Sequence, residues 1–300
     1  MRAFVFAIIK FLGILLITAI FLVGAEIYII KKQGIKISPE KNILVLGDSH
    51  TECSVSDAVM PRVANFSESG STYYYSFIKL KEIVRVNKQI DTLILSFHFG
   101  SLDKDNEKEF LYNESYNFER LPKFIPFLDK NDLINYYDKI ILVKSILNSP
   151  AHYFPFIISK LKGGNFQTER MKLGAFSASD RNKLNEDIEI RKSSGTLKLK
   201  NDFSEIELKL LNQIKVFCIE NNVCLILLNT PVYKAEQYTD VSFYNKFKAD
   251  NSNEFQFLDL NKFNPGDEGF GDISHLNKSG AILFSNELKR VFSIKKLNKF

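Results

Sequence analysis

The chain reads as an α/β protein, a five-stranded parallel sheet covered by helices on both faces, carried behind an N-terminal membrane-spanning helix. Short apolar runs at 43–46, 92–97, 223–228 and 255–260, bounded by polar residues or glycine, have the length and continuity of strands buried on both faces. Between them, 73–86, 204–220 and 278–292 carry apolar residues at helical spacing. Strands alternating with helices imply parallel pairing, because each crossover must return the chain to the same edge of the sheet. The third observation is the apolar run 11–30, in which Glu26 is the one charge.

In chain order, 1–10 is a short basic tail and 11–30 the anchor. At about 1.5 Å per residue such a run crosses a hydrocarbon core of about 30 Å. Arg2 and Lys10 precede it and Lys31, Lys32 and Lys36 follow, so flanking charge does not orient it. A short basic start before an apolar run is what export machinery reads, which places the following domain outside the cytoplasm. Val23-Gly24-Ala25 offers a cleavage site and hence a removable signal segment, but the apolar run continues past it to Ile30. Residues 31–41, with Gly34 and Pro39, form a linker, and the folded domain occupies 42–300.

The first strand, 43–46, ends at Gly47 and a helical stretch follows Ser49. A short second strand at 63–67 leads to Glu68-Ser69-Gly70, then the 73–86 helix and the third strand. Residues 103–200 are rich in aromatics and charge, and Pro122, Pro126, Pro150 and Pro155 break long elements there. With Gly163-Gly164 as a loop, this stretch reads as an inserted helical cap. Ser204-x-x-Glu207 is a capping box that opens the next helix, and the last two strands and the closing helix follow.

Composition removes several function classes. Forty Lys+Arg against 35 Asp+Glu leave a net charge of +5 without a basic stripe, which gives no support for nucleic-acid binding. Cys53, Cys218 and Cys224 form no C-x-x-C pair, so neither a zinc site nor a disulfide framework is indicated. No cofactor motif is present, and no cofactor is expected.

Chemistry gathers at two places. In an open parallel sheet, ligands bind beyond the carboxyl ends of the strands, and Gly47-Asp48-Ser49-His50 lies at such an end. Gly47 permits a sharp turn, and Ser49 is presented where backbone N–H groups are free to meet negative charge. A serine hydroxyl needs a neutral imidazole to take its proton, and the imidazole needs a carboxylate to fix its tautomer. Gly271-Asp272-Ile273-Ser274-His275, on a loop before the last helix and at the same sheet edge, supplies both.

With those residues the sequence resembles the SGNH (GDSL-like) hydrolase superfamily. The matching blocks are Gly47-Asp48-Ser49, Gly70 after the second strand, and Asp272-x-x-His275, over about residues 42–102 and 203–292. The resemblance implies a three-layer, flavodoxin-like domain. It further implies that Ser49 is the nucleophile, His275 its base and Asp272 the partner of His275, with the N–H groups of Ser49 and Gly70 in the oxyanion hole. The family's third block, Gly-x-Asn-Asp, supplies an Asn as third oxyanion donor. Here the equivalent stretch is Phe97-His98-Phe99-Gly100-Ser101, without Asn. His98 is the candidate replacement donor, with a packed or surface histidine as the alternative, and His50 is expected to contact substrate or to cap the following helix.

Together with the anchor and the insertion, these departures resemble the envelope polysaccharide O-acetyltransferase and esterase branch. That implies a serine acyl-enzyme, a carbohydrate or acyl-ester substrate, and a multispanning membrane acyl-transfer partner. Two rivals follow from the same residues. Asp48-Ser49-His50 also fits the opening of a metal-dependent phosphoesterase, although His98, His152 and His275 are the only other histidines and no Gly-Asn-His run accompanies them. The missing Asn fits a catalytically inactive, glycan-binding or assembly subunit.

Overall fold

A computed structural model describes residues 1–130, 132, 139–162, 173–194, 204–234 and 241–297. Its strands are β1 (Ile43–Leu46), β2 (Val63–Asn65), β3 (Thr92–Ser96), β4 (Cys224–Asn229) and β5 (Gln256–Asp259). Its helices are α1 (Arg2–Gln33), α2 (Ser49–Ser54), α3 (Tyr73–Val86), α4 (Lys104–Phe110), α5 (Glu114–Arg120), α6 (Lys139–Leu161), α7 (Leu184–Ser194), α8 (Glu205–Glu220), α9 (Ser242–Asp250) and α10 (Lys278–Leu297). The chain divides into two compact units, Met1–Lys36 with Tyr112–Lys172, and Ile37–Leu111 with Leu173–Phe300.

The second unit holds the sheet. All pairings are parallel in the order β2-β1-β3-β4-β5, the flavodoxin-like arrangement. Order reverses at β1, whose neighbours are β2 and β3, so the crevice beyond the end of β1 is the topological switch point. Leu44, Val45 and Leu46 are fully buried, as are Leu93, Ile94 and Leu95 of β3, which is why these strands read as continuous apolar runs. On one face Ala281, Phe284 and Leu288 of α10 pack with Val45, Ile94 and Leu228. Burying a side chain of this kind contributes about 1.5–3 kcal/mol, so the closing helix is a substantial part of what holds the sheet.

The capping box at α8 forms by half. Ser204 Oγ accepts from the Glu207 N–H at 2.8 Å, as the motif requires. The Glu207 carboxylate does not return to the Ser204 N–H, which donates instead to the Leu102 carbonyl at 3.0 Å. Its Oε2 crosses to α3 and accepts from the Tyr73 N–H at 2.8 Å.

In the first unit α1 is a single helix with a mean hydropathy of 2.7 over its most apolar window, long and apolar enough to cross a membrane. It is longer than the 11–30 run, since the flanking Lys10, Lys31 and Lys32 continue the same helix. Glu26 is not exposed on it. It is buried, with a hydrogen bond from Ser149 of α6. Tyr153 of α6 donates to the Lys123 carbonyl in the 3₁₀ turn Leu121–Phe127, and Pro150 and Pro155 lie inside α6 rather than ending it. The expected insertion, 103–200, is shared between the units. Tyr112–Lys172 belongs with α1, while α4 and the stretch from Leu173 belong with the sheet. Gly163, Gly164 and 195–200 lie outside the described residues.

Candidate active site

Gly47 sets the geometry at the end of β1. Its φ is +147°, and a Cβ there would stand 2.2 Å from the Ser96 Cβ on β3, so no larger residue fits without parting the strands. The chain then turns into α2. Asp48 is the N-cap, its Oδ1 accepting from the His50 N–H at 3.0 Å and from Ser96 Oγ at 2.9 Å. The cap is therefore Asp48 and not His50. Ser49 opens the helix with its hydroxyl turned to the loop before α10.

That loop carries the expected partners. His275 Nε2 lies 2.8 Å from Ser49 Oγ, and His275 Nδ1 lies 2.8 and 3.0 Å from the two Asp272 carboxylate oxygens. The short loop is closed by the Gly271 N–H donating to the His275 carbonyl at 2.9 Å. Burial pushes the Asp272 carboxyl up, but hydrogen bonds from His275 and the Ser274 N–H, with Arg181 beside it, outweigh burial and hold it below the usual carboxylate range. A carboxylate that stays ionised fixes His275 with its proton on Nδ1 and leaves Nε2 to accept from serine. Arg181 stands 3.5 Å from Asp272. Its segment, Leu173 onward, is tied to the site edge by the Ser177 N–H to the Glu52 carbonyl and the Ser179 N–H to the Leu276 carbonyl.

His98 lines the same pocket as Ser49 and Gly70, but its ring is held by the protein. Its Nδ1 accepts from the Gly100 N–H at 3.1 Å, so its proton is on Nε2, which faces Asp48 Oδ2 at 2.8 Å. Both ring nitrogens are used, and the expected oxyanion role is corrected on that ground. Burial pulls the Asp48 carboxyl upward, but the His98 imidazole, with Ser96, more than offsets it and keeps the group well below the carboxylate range. His50 is buried between the other two imidazoles, ring centroids 3.9 Å from His98 and 5.5 Å from His275. Burial first, and His98 second, push its pKa down to about 3, so it is an uncharged wedge.

Gly70, with φ +66°, and Ser49 line one pocket, and neither backbone N–H has a hydrogen-bond partner among the described residues. The pocket, about 180 Å³, also takes in Thr72, Asn106, Glu107 and Glu207, none of which sequence reading had singled out for chemistry. Asn106 donates to the Gly100 carbonyl at 2.8 Å and so braces the loop that follows β3. Cys53, four residues beyond Ser49, is buried, which pushes its thiol up to about 12, so it packs as an apolar side chain. Among the described residues no cluster of His, Cys, Asp or Glu has metal-binding geometry.

No family model and no curated protein matches the chain. Among solved structures, a Streptococcus pneumonia protein named provisionally as a platelet activating factor is similar over 95% of this chain and 97% of its own, at 14% identity and a TM-score of 0.38. A likeness of that order carries no weight for the chemistry, which rests on the Ser49, His275 and Asp272 geometry.

Proposed function

We propose that the protein is a membrane-anchored serine esterase or O-acyltransferase of SGNH type, acting on carbohydrate esters of the cell envelope or extracellular polysaccharide. The observation that carries it is the continuous line of hydrogen-bonding contacts from Ser49 Oγ through His275 to Asp272. In mechanism, His275 Nε2 takes the Ser49 proton as Oγ attacks the ester carbonyl. The free N–H groups of Ser49 and Gly70 are the donors for the developing oxyanion. His275 then returns the proton to the departing alkoxide, and Ser49 keeps the acyl group. Water or a sugar hydroxyl, deprotonated by the same nitrogen, takes the acyl group and restores the serine. Asp272 stabilises the imidazolium in both halves.

The anchor implies a domain outside the cytoplasm, and a multispanning acyl-transfer partner is the natural donor if the reaction is transfer. The alternative, an inactive envelope or glycan-binding subunit, is favoured by one observation, the commitment of both His98 nitrogens where a third oxyanion donor is missing. One experiment separates them. Full-length protein in detergent is expected to be labelled by a fluorophosphonate at Ser49 and to hydrolyse p-nitrophenyl acetate. Ser49→Ala is expected to lose the label and to lower kcat/KM by about 10³-fold or more. Labelling that persists in Ser49→Ala, or wild-type protein that neither labels nor hydrolyses, overturns the assignment.

A further inference from the structure

The pocket that opens on Ser49 has a floor of polar groups left without protein partners. Glu207 is 3% exposed, and its Oε1 makes no hydrogen bond among the described residues although Oε2 is held by the Tyr73 N–H. Thr72 is 8% exposed with Oγ1 equally unpartnered, and the Ser71 hydroxyl shares that condition. Native proteins satisfy nearly all such groups, so these three, with His50 Nδ1 as a fourth among the residues lining the same pocket, call for something that enters it.

Local structure explains why Thr72 is spared. It is the N-cap of α3, where a threonine hydroxyl normally accepts from a helical N–H, yet it makes no cap hydrogen bond. Glu207, reaching over from α8, has taken the Tyr73 N–H instead. The unused half of the capping box thus frees one hydroxyl and aligns one carboxyl on the same pocket.

Burial pushes Glu207 up to about 8, the Tyr73 N–H pulling against it and Glu107 adding to it, so near neutral pH it is mostly a carboxylic acid with a proton to donate. The available groups are therefore uncharged and able both to donate and to accept. An apolar acyl chain would strand them. An anion would meet the ionised Asp48, whose own charge is already taken up by hydrogen bonds from His98 and Ser96, and the protonated Glu207 offers a cation no charge. At about 180 Å³ the pocket is smaller than the roughly 300–1,000 Å³ of drug-sized ligand sites. It is the size of a single small ring.

We propose that this pocket is a specificity subsite for one hydroxyl-bearing ring of the substrate, a sugar unit, held by Thr72 and Glu207. The proposal rests on the Ser49 reading and extends it by saying which part of the ester is recognised. Discrimination follows: a sugar ester gains two hydrogen bonds that a nitrophenyl ester does not.

The test compares methyl 6-O-acetylglucopyranoside with p-nitrophenyl acetate on full-length protein in detergent. Thr72→Val is expected to lower the ratio of their kcat/KM values about tenfold, through KM for the sugar ester. Thr72→Ser, which restores a hydroxyl, is expected to restore the ratio. Glu207→Gln, which keeps an acceptor for Tyr73, is expected to lower it several-fold. Activity on both esters that falls in parallel, or a ratio that does not move, overturns the subsite and leaves Ser49 chemistry standing. Saturation-transfer NMR of Ser49→Ala with methyl glucoside gives the independent arm. A signal that is lost on adding Thr72→Val supports the pocket even if the serine fails to label. No signal, or displacement by ethanolamine, overturns it.

Discussion

The side chain whose surroundings most changed its meaning is His98. Donating from Nε2 to Asp48, it holds the residue that caps α2 and aims Ser49, so it acts on the serine through the backbone rather than on the substrate. Hydrogen bonds to charged groups contribute about 1.5–3 kcal/mol. His98→Ala is accordingly expected to destabilise the protein by about 2 kcal/mol in urea unfolding. An oxyanion donor would give the opposite pattern, a loss of kcat with stability intact. Ser49, His275 and Asp272 could be picked out as candidates from residue type and local spacing, and the fold brings them within hydrogen-bonding distance. The role of His98 was not, because its partner lies 50 residues away and only the pairing of β1 with β3 brings them together.

Among the elements, the α3–α8 contact through Glu207 has a pH signature. The folded chain keeps a proton on Glu207 up to about 8, whereas the unfolded chain gives it up near 4.5. Its contribution to stability is thus fully present below about 4.5 and is lost as pH rises through about 8. The urea midpoint is expected to fall across that window in the native protein and to vary less in Glu207→Gln. At the β1–β3 contact, Gly47→Ala must part the strands at Ser96, and overpacking of this kind costs about 1–3 kcal/mol. The expected result is a lowered urea midpoint with fluorophosphonate labelling slowed further than the stability loss explains. Strands were easy to place, since β1 and β3 are unbroken apolar runs buried on both faces. The α8 start was read correctly as a cap, but which backbone N–H the Glu207 carboxylate would serve depends on a helix 134 residues earlier, and no local pattern carries that.

At the scale of the whole molecule, two apolar environments are built from one chain. The sheet-bearing unit buries its apolar residues in a core, while α1 leaves Phe4, Leu12, Ile14, Ile17 and Phe21 exposed, which suits lipid and not water. In α6 the exposed Ile140, Val143, Leu147 and Phe154 fall on one helical face beside buried Tyr153. The sequence showed the long apolar N-terminal helix plainly, but the prolines of α6 suggested broken elements where one helix runs through them. Membrane fractions washed with alkaline carbonate are expected to retain the protein with its N-terminal residues intact by mass spectrometry. Release of a chain beginning near Glu26 would instead mark the helix as a removed signal.

The separation of 226 residues between Ser49 and His275 also has a consequence in time. A nascent chain carries Ser49 from the end of the first strand onward, but the imidazole that faces it in the folded chain is made 226 residues later. At about 5–20 residues per second, synthesis of the intervening stretch takes on the order of tens of seconds. Throughout that interval Ser49 stands without the imidazole it meets in the folded chain. A chain cut short before His275 lacks the Ser49–His275 contact, and on the proposed reading its serine has no base.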